Sequence, residues 1–245
     1  MPNLLLINPN TTHSMTAKMA EAARSVIPED VQIQAVTSEY GPASIEGYYD
    51  EIFSVPPMLD LIHEYNGQTD AVIVGCFDDT GVEAARCVSE TPVMGICQAA
   101  CQHASLLAAS FSIVTTLGRS VHPLERRVLD YGFERQCQSV RASDIPVLAL
   151  ESCDETAMKA LYTQIEDALQ NDGSEAIVLG CAGMVELQQA LQSKYQVPVI
   201  EGVTAAVSIM QGMARLPTST SRRNTYAGPL AKQYQGFFAR YSPNQ

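Results

Sequence analysis

At 245 residues, 46% hydrophobic and 17% charged, the chain is long enough to bury a sizeable core in one large or two small domains. A formal net charge of −12, with no basic cluster beyond Arg126-Arg127 and Arg222-Arg223, disfavours partnership with nucleic acid or an anionic membrane. Seven cysteines, spread through strand-like and helix-like segments, argue for reduced thiols and against a disulfide framework, and no signal peptide or membrane span is visible, so the expected location is the cytoplasm.

Residues 4–7 read as a buried first strand, because a short apolar run bounded by turn signals is what a helix-covered parallel sheet requires. Asn8-Pro9-Asn10-Thr11-Thr12 is a polar turn into a helix starting near His13 or Ser14, where Asn and Thr can cap the helix or contact a ligand. Residues 31–36 form a second strand. Residues 39–50 hold Gly41, Pro42, Gly47 and two tyrosines, too turn-rich for an element, and read as a mobile flap at the ligand-binding edge. A helix over 51–65 leads to a third strand that stops at Gly75-Cys76. Then come the turn Phe77-Asp78-Asp79-Thr80-Gly81, a short helix over 82–88, a strand over 93–96 and a joining helix over 97–109.

The second half reads as strand 111–115, helix 123–131, an apolar strand 146–150, helix 155–171, a strand ending at Gly180-Cys181, helix 184–195, strand 198–200 and helix 204–215. A loop opens at Pro217-Thr218-Ser219-Thr220-Ser221, and residues 231–241 suit a terminal helix.

The halves repeat one another. DAVIVGC, residues 70–76, returns type for type as EAIVLGC, residues 175–181, an offset of 105 (181 − 76), and TPVMG at 91–95 returns as VPVIEG at 197–202. The expectation is an α/β fold of two pseudo-symmetric duplicated domains, each a mainly parallel sheet flanked by helices, with the active site in the cleft between them. Residues 1–97 with 203–245 would form the first domain, discontinuous in sequence, and 98–202 the second. Ligands of open parallel sheets bind at the carboxyl ends of the strands, where helix N-termini favour negative charge, a thiolate included.

Cys76 and Cys181 occupy those strand ends. A single free cysteine is most often a small core residue, but a matched pair at both ends argues for a function. Cys97, Cys101 and His103 have a loosely metal-like spacing without a second pair to complete four ligands, and Cys97 and Cys101 share one helix face, which suits core packing. Cys87, Cys137 and Cys153 belong to no motif. Asp78-Asp79 could serve Mg²⁺ or general-base chemistry, or only answer a helix dipole. Thr115-Thr116 is the equivalent of Pro9-Asn10 and points to the same cleft. His13, His63 and His122 lack a catalytic partner, and without a G-x-G-x-x-G or Walker pattern nucleotide cofactors are disfavoured. Neither a cofactor nor a metal is expected.

The Asn8-Pro9-Asn10-Thr11 start, the SIEGYYDE stretch at 44–51, Cys76-Phe77 and Gly180-Cys181-Ala182-Gly183-Met184 resemble, over essentially the whole chain, the hydantoin and allantoin racemases of the aspartate/glutamate racemase superfamily. The resemblance implies a cofactor-independent two-base reaction on a small-molecule substrate, a 5-substituted hydantoin or allantoin. Cys76 and Cys181 would be the catalytic bases, with Asn8, Asn10, Ser44, Ile45, Phe77, Asp79, Thr115, Thr116 and the Ala182-Gly183 backbone around the ring. Amino-acid racemases of the superfamily carry Cys-Asn-Thr and Gly-Cys-Thr-His, whereas here Phe77-Asp78 and Ala182-Gly183 follow the cysteines, which disfavours a free amino acid. Many hydantoin racemases read Cys-Phe-Gly-Asp-Pro-Gly where this chain has Cys76-Phe77-Asp78-Asp79-Thr80-Gly81, leaving the ring substituent open.

The chemistry suits the residues. The C5 hydrogen of a hydantoin lies beside a carbonyl, and its removal gives an enolate whose oxygen backbone N–H groups can hold. A thiol of ordinary pKa near ~8.5 can serve as base on one face and acid on the other. Maleate isomerase-like addition, arylmalonate decarboxylase-like protonation and a non-catalytic two-lobed binding protein stay open as alternatives. The sequence fixes no oligomeric state, and a homo-oligomer is compatible with it.

Overall fold

In the computed structural model, which describes residues 1–151 and 155–243, the duplication is written into the sheets. The first lobe runs β1 (Asn3–Asn8), α1 (His13–Val26), β2 (Gln32–Thr37), α2 (Tyr48–Glu64), β3 (Ala71–Val74), α3 (Val82–Val88), β4 (Val93–Gly95), with strand order β2-β1-β3-β4. After α4 (Ile96–Leu107), the second runs β5 (Phe111–Thr115), α5 (Val121–Asp130), β6 (Cys137–Ala142), α6 (Glu155–Asn171), β7 (Ala176–Leu179), α7 (Gln188–Tyr195), β8 (Val199–Glu201), with order β6-β5-β7-β8, and α8 (Gly202–Met213) follows. Every strand pairing is parallel. Cys153 lies outside the described residues.

The central strands are apolar throughout because both of their faces are covered. Along β1, Leu4 and Leu6 face a core shared by the two lobes, while Leu5 and Ile7 face the core under α2 and α3. Along β7, Ala176 and Val178 face the shared core, and Ile177 and Leu179 face that under α6 and α7. Cys97 and Cys101 of α4 are fully buried in the shared core, which is the packing role that their spacing suggests. α4 packs on β7, β8 and α8, and α8 packs back on β3, β1 and α1.

Both cysteine strands end at a glycine for a steric reason. A Cβ on Gly180 would lie 2.9 Å from the Cα of Thr115, and one on Gly75 would meet the Met19 sulfur at 2.8 Å and the Ile7 carbonyl oxygen at 3.0 Å. At each lobe the chain therefore passes close over the end of the neighbouring strand, and the next residue is the cysteine.

Three expected elements differ. Residues 146–150 are not a strand: Val147–Glu151 is a 3₁₀ turn, and the strand beside β5 is β6, CQSVRA. An apolar run alone does not distinguish a strand from a buried turn, and β6 is a sheet edge whose exposed side tolerates polar residues. The segment expected to begin a helix at residue 184 starts as 3₁₀ helix over Ala182–Leu187 before α7. The expected terminal helix over 231–241 is reduced to a 3₁₀ segment, Gly236–Tyr241, because Gly236 sits at φ +63° and the segment buries none of its residues. No helix among the described residues is long and apolar enough to cross a membrane.

Candidate active site

The carboxyl ends of β1, β3, β5 and β7 converge on one cleft, lined by Asn10, Met15, Ile45, Gly75, Cys76, Phe77, Asp78, Thr115, Thr116, Ser120, Val147, Gly180, Cys181 and Ala182. Cys76 follows β3 and Cys181 follows β7, so the repeated strand ends deliver both thiols to the same space. The free volume there is small, about 30 Å³.

Each sulfur is held by the turn it opens. The Cys76 sulfur lies 3.6 Å from the Thr80 hydroxyl and accepts from the Asp78 N–H. The Cys181 sulfur accepts from the Gly183 N–H at 3.4 Å. Burial pushes the Cys76 thiol far above its ordinary range, with the charge of Asp78 adding to it and the Thr80 and Asp78 hydrogen bonds opposing. Burial likewise pushes Cys181 up to about 12, the Gly183 N–H opposing and the Asp78 and Glu46 charges adding. The helix-end field expected to favour thiolate is outweighed at both sulfurs, because withdrawing a charged sulfur from water costs more than one or two N–H groups return.

The loop over residues 39–47, shorter than the expected 39–50 because α2 already begins at Tyr48, roofs the cleft. The Thr11 N–H donates to the Pro42 carbonyl at 3.0 Å and the Thr12 hydroxyl to the Ala43 carbonyl at 2.7 Å, which tie the loop to the first lobe. Across the mouth, the Val147 N–H of the second lobe donates to the Glu46 carboxylate at 2.9 Å. Ile45 points into the cleft between these ties.

Of the residues expected around a ring, Asn10, Ile45, Phe77, Thr115, Thr116 and Ala182 line the cleft with the two cysteines. Asn8, Ser44, Asp79 and Gly183 do not. Asn8 is fully buried, its side-chain N–H₂ donating to Asn10, the Thr12 carbonyl and Thr16 at 2.9–3.0 Å, so it shapes the loop that presents Asn10. Ser44 is half-buried in the roof, and Gly183 acts through its N–H on the Cys181 sulfur.

Asp79 is a correction. Its carboxylate, 0% exposed, accepts from the Cys97 and Gln98 N–H groups, both at 2.9 Å, and from the Tyr131 hydroxyl at 2.8 Å. It caps α4 and faces away from the cleft. Glu201 does the same for α8, accepting from the Val203 and Thr204 N–H groups at 2.7 Å. Sequence reading missed Met15, Ser120 and Val147, which a helix and 3₁₀ turns carry to the cleft and no strand-end repeat announces, and it named Asp78 only for Mg²⁺ or general-base chemistry or as an answer to a helix dipole.

Asp78 is the acid that the cleft does expose. Arg127 of α5 reaches across, its Nε donating to the Asp78 carbonyl at 2.9 Å and its Nη1 pairing with Glu83 at 3.1 Å. The Asp78 carboxyl itself is raised from 3.8 to about 7 by burial, then by the charges of Glu51 and Asp79, against Arg127. This predicts a pH-dependent stability. Below about pH 4 the carboxyl is protonated in folded and unfolded chains alike. From there to about pH 7 the unfolded chain loses the proton first and folded stability falls, the cost being complete above that. Asp78→Asn removes the ionisable group, so urea melts should show it stabilised by on the order of 2–4 kcal/mol at about pH 8 and by little at about pH 4.

Two lobes of one topology, each placing a cysteine just after its third strand at a shared cleft, define a duplicated α/β class of protein. Residues 4–210 match the family model described as Asp/Glu/Hydantoin racemase. The chain is 50% identical over 232 residues to a hydantoin racemase of Rhizobium meliloti, covering 94% of this chain and 96% of that one. It is 40% identical over 241 residues to a hydantoin racemase of Pseudomonas sp. (strain NS671), covering 98% and 97%. Among solved structures, an allantoin racemase from Klebsiella pneumoniae matches with a TM-score of 0.94 at 39% identity, each chain fully covered. The chain belongs to the Asp/Glu/Hydantoin racemase family.

Proposed function

We propose that this protein inverts C5 of a 5-substituted hydantoin, allantoin included, by two-base proton transfer without a cofactor. The observation that carries the reading is the delivery of Cys76 and Cys181 to one cleft by equivalent strand ends. Mirror-image substrates require bases on opposite faces of C5, and two pseudo-symmetric lobes, 1–97 with 203–245 and 98–202, supply one each.

In the proposed reaction one cysteine, as thiolate, takes the C5 proton while the thiol opposite returns one to the other face. In this reading, backbone N–H groups of the turns after the cysteines would hold the oxygen of the enolate between the two steps. Because burial raises both thiols, the thiolate forms while the roof is open to water, and closure then strips its solvent and strengthens it as a base. A free volume of about 30 Å³ leaves little room for a ring, and in this reading the roof over residues 39–47 moves as substrate enters. Asn10, Ile45, Phe77, Thr115, Thr116 and Ala182 would surround the bound ring, and Gly183 would steady the sulfur of Cys181.

The latch yields a prediction. Glu46→Ala removes the acceptor for the Val147 N–H and should lower kcat/KM by about tenfold, a charged hydrogen bond's worth, while speeding proteolysis within residues 39–47. Unchanged cleavage in the loop would count against the roof. The function itself is tested by offering single enantiomers of allantoin and of several 5-substituted hydantoins and following optical rotation, which should decay to zero. Stable rotation with every one of them would refute it.

A further inference from the structure

Most polar groups lining the cleft are already engaged. The Asn10 side-chain oxygen accepts from Asn8 and the Thr12 N–H, and the Thr115 hydroxyl donates to the Gly180 carbonyl. The Asp78 carboxyl is different. Asp78 lines the cleft and is 6% exposed, and among the described residues nothing donates a hydrogen bond to its carboxyl. Behind it, Glu51 has an oxygen that is buried and likewise without a hydrogen bond. A largely buried carboxyl with no protein donor is poorly solvated in the ligand-free protein. A ligand that supplies N–H groups makes up that deficit.

The reaction fixes which part of the ligand this is. At C5 of a hydantoin, the hydrogen and its replacement lie along the axis between the two thiols, which leaves three groups around the rim: the C4 carbonyl, the ring N1–H and the 5-substituent. A carboxylate beside the C4 oxygen would oppose the negative charge that develops there, so a productive ring turns that oxygen away from Asp78. N1–H and the 5-substituent then face it. When the substituent begins with an N–H, as a ureido group does, C5 presents two N–H donors on an N–C–N unit, a fork that matches the two oxygens of one carboxylate. An alkyl substituent offers only N1–H and sets a hydrocarbon against the acid.

We infer that Asp78 is a specificity-determining residue, which selects hydantoins whose 5-substituent carries an N–H next to the ring, the ureido group of allantoin being the model case. The inference rests on the racemase reading of the same cleft and adds the substituent to it. The acidity of the surroundings agrees. Glu51 of α2 and Asp79 push the Asp78 carboxyl up, Arg127 of α5 opposes them, and a pair of N–H donors would relieve the same imbalance.

The test compares kcat/KM for allantoin and for 5-isobutylhydantoin, each divided by the uncatalysed rate of C5 exchange, in the wild type, Asp78→Asn and Asp78→Ala. The wild type should favour allantoin by about tenfold or more, and both variants should lose at least about tenfold of that ratio, the scale of a hydrogen bond to a charged group. A wild-type ratio near one, or a ratio that survives both substitutions within about twofold, would overturn the inference while leaving the racemase reading intact. Should the variants fail to fold, the wild-type ratio alone decides. A wild type inert on both compounds would overturn the proposed function and the inference with it.

Discussion

Replacing either Cys76 or Cys181 by serine is expected to lower racemisation of a 5-substituted hydantoin by at least about 10³-fold, the upper range of what one positioned acid or base contributes. A serine hydroxyl is too weak an acid to stand as base near neutral pH, and nothing else lining the cleft replaces it on that face. Thr115, Thr116 and Ser120 are hydroxyls. The loss should appear in kcat with the fold intact, since each side chain lies at the cleft and supports little packing. If one variant races at nearly the wild-type rate, the corresponding thiol is not a base. Equal losses at both positions are the expectation from a duplicated fold, because each thiol is indispensable in both directions, as base in one and as acid in the other.

The second large effect concerns stability. Asp79→Ala should destabilise the protein by about 3–5 kcal/mol, because it strands the Cys97 and Gln98 N–H groups and the Tyr131 hydroxyl in a buried place. Asp79→Asn should cost less, since its amide oxygen still accepts one of the three. The loss compares with the whole stability of many domains, so the alanine variant should shift the urea midpoint far down or fail to accumulate. An unfolding free energy within about 0.2 kcal/mol of wild type would show that Asp79 does not hold the start of α4.

The Asp78-Asp79 pair shows where sequence reading stops. Two adjacent acids in a turn look alike on the page, and the expectation placed Asp79 at the substrate. In the fold Asp79 adopts φ +49°, which turns its side chain towards α4, and the residue before it lines the cleft instead. The partners that fix this orientation, at positions 97, 98 and 131, are 18 to 52 residues away in sequence. By contrast, the strand ends were legible because their apolar runs, their glycines and the offset between the halves all express local geometry. Cys76 and Cys181 could be paired from that offset alone. Polar edge strand β6 was missed for the opposite reason: its sequence reports exposure to solvent on one side, not the hydrogen bonds it makes to β5. Val147 reaches the cleft from the segment mistaken for that strand, so one error of element type hid one residue of the cleft.

The account stands on each cysteine serving one face of the ring, and hydrogen exchange reads the faces separately. In D₂O, each single serine variant should be offered both enantiomers of allantoin, with C5 deuteration followed by NMR and configuration by circular dichroism. One thiolate can still remove a proton and return a deuteron on its own side. Cys76→Ser should therefore exchange one enantiomer without inverting it, and Cys181→Ser should exchange the other. Exchange of both enantiomers by either variant, or the same preference in both, would contradict the assignment of one thiol to each face.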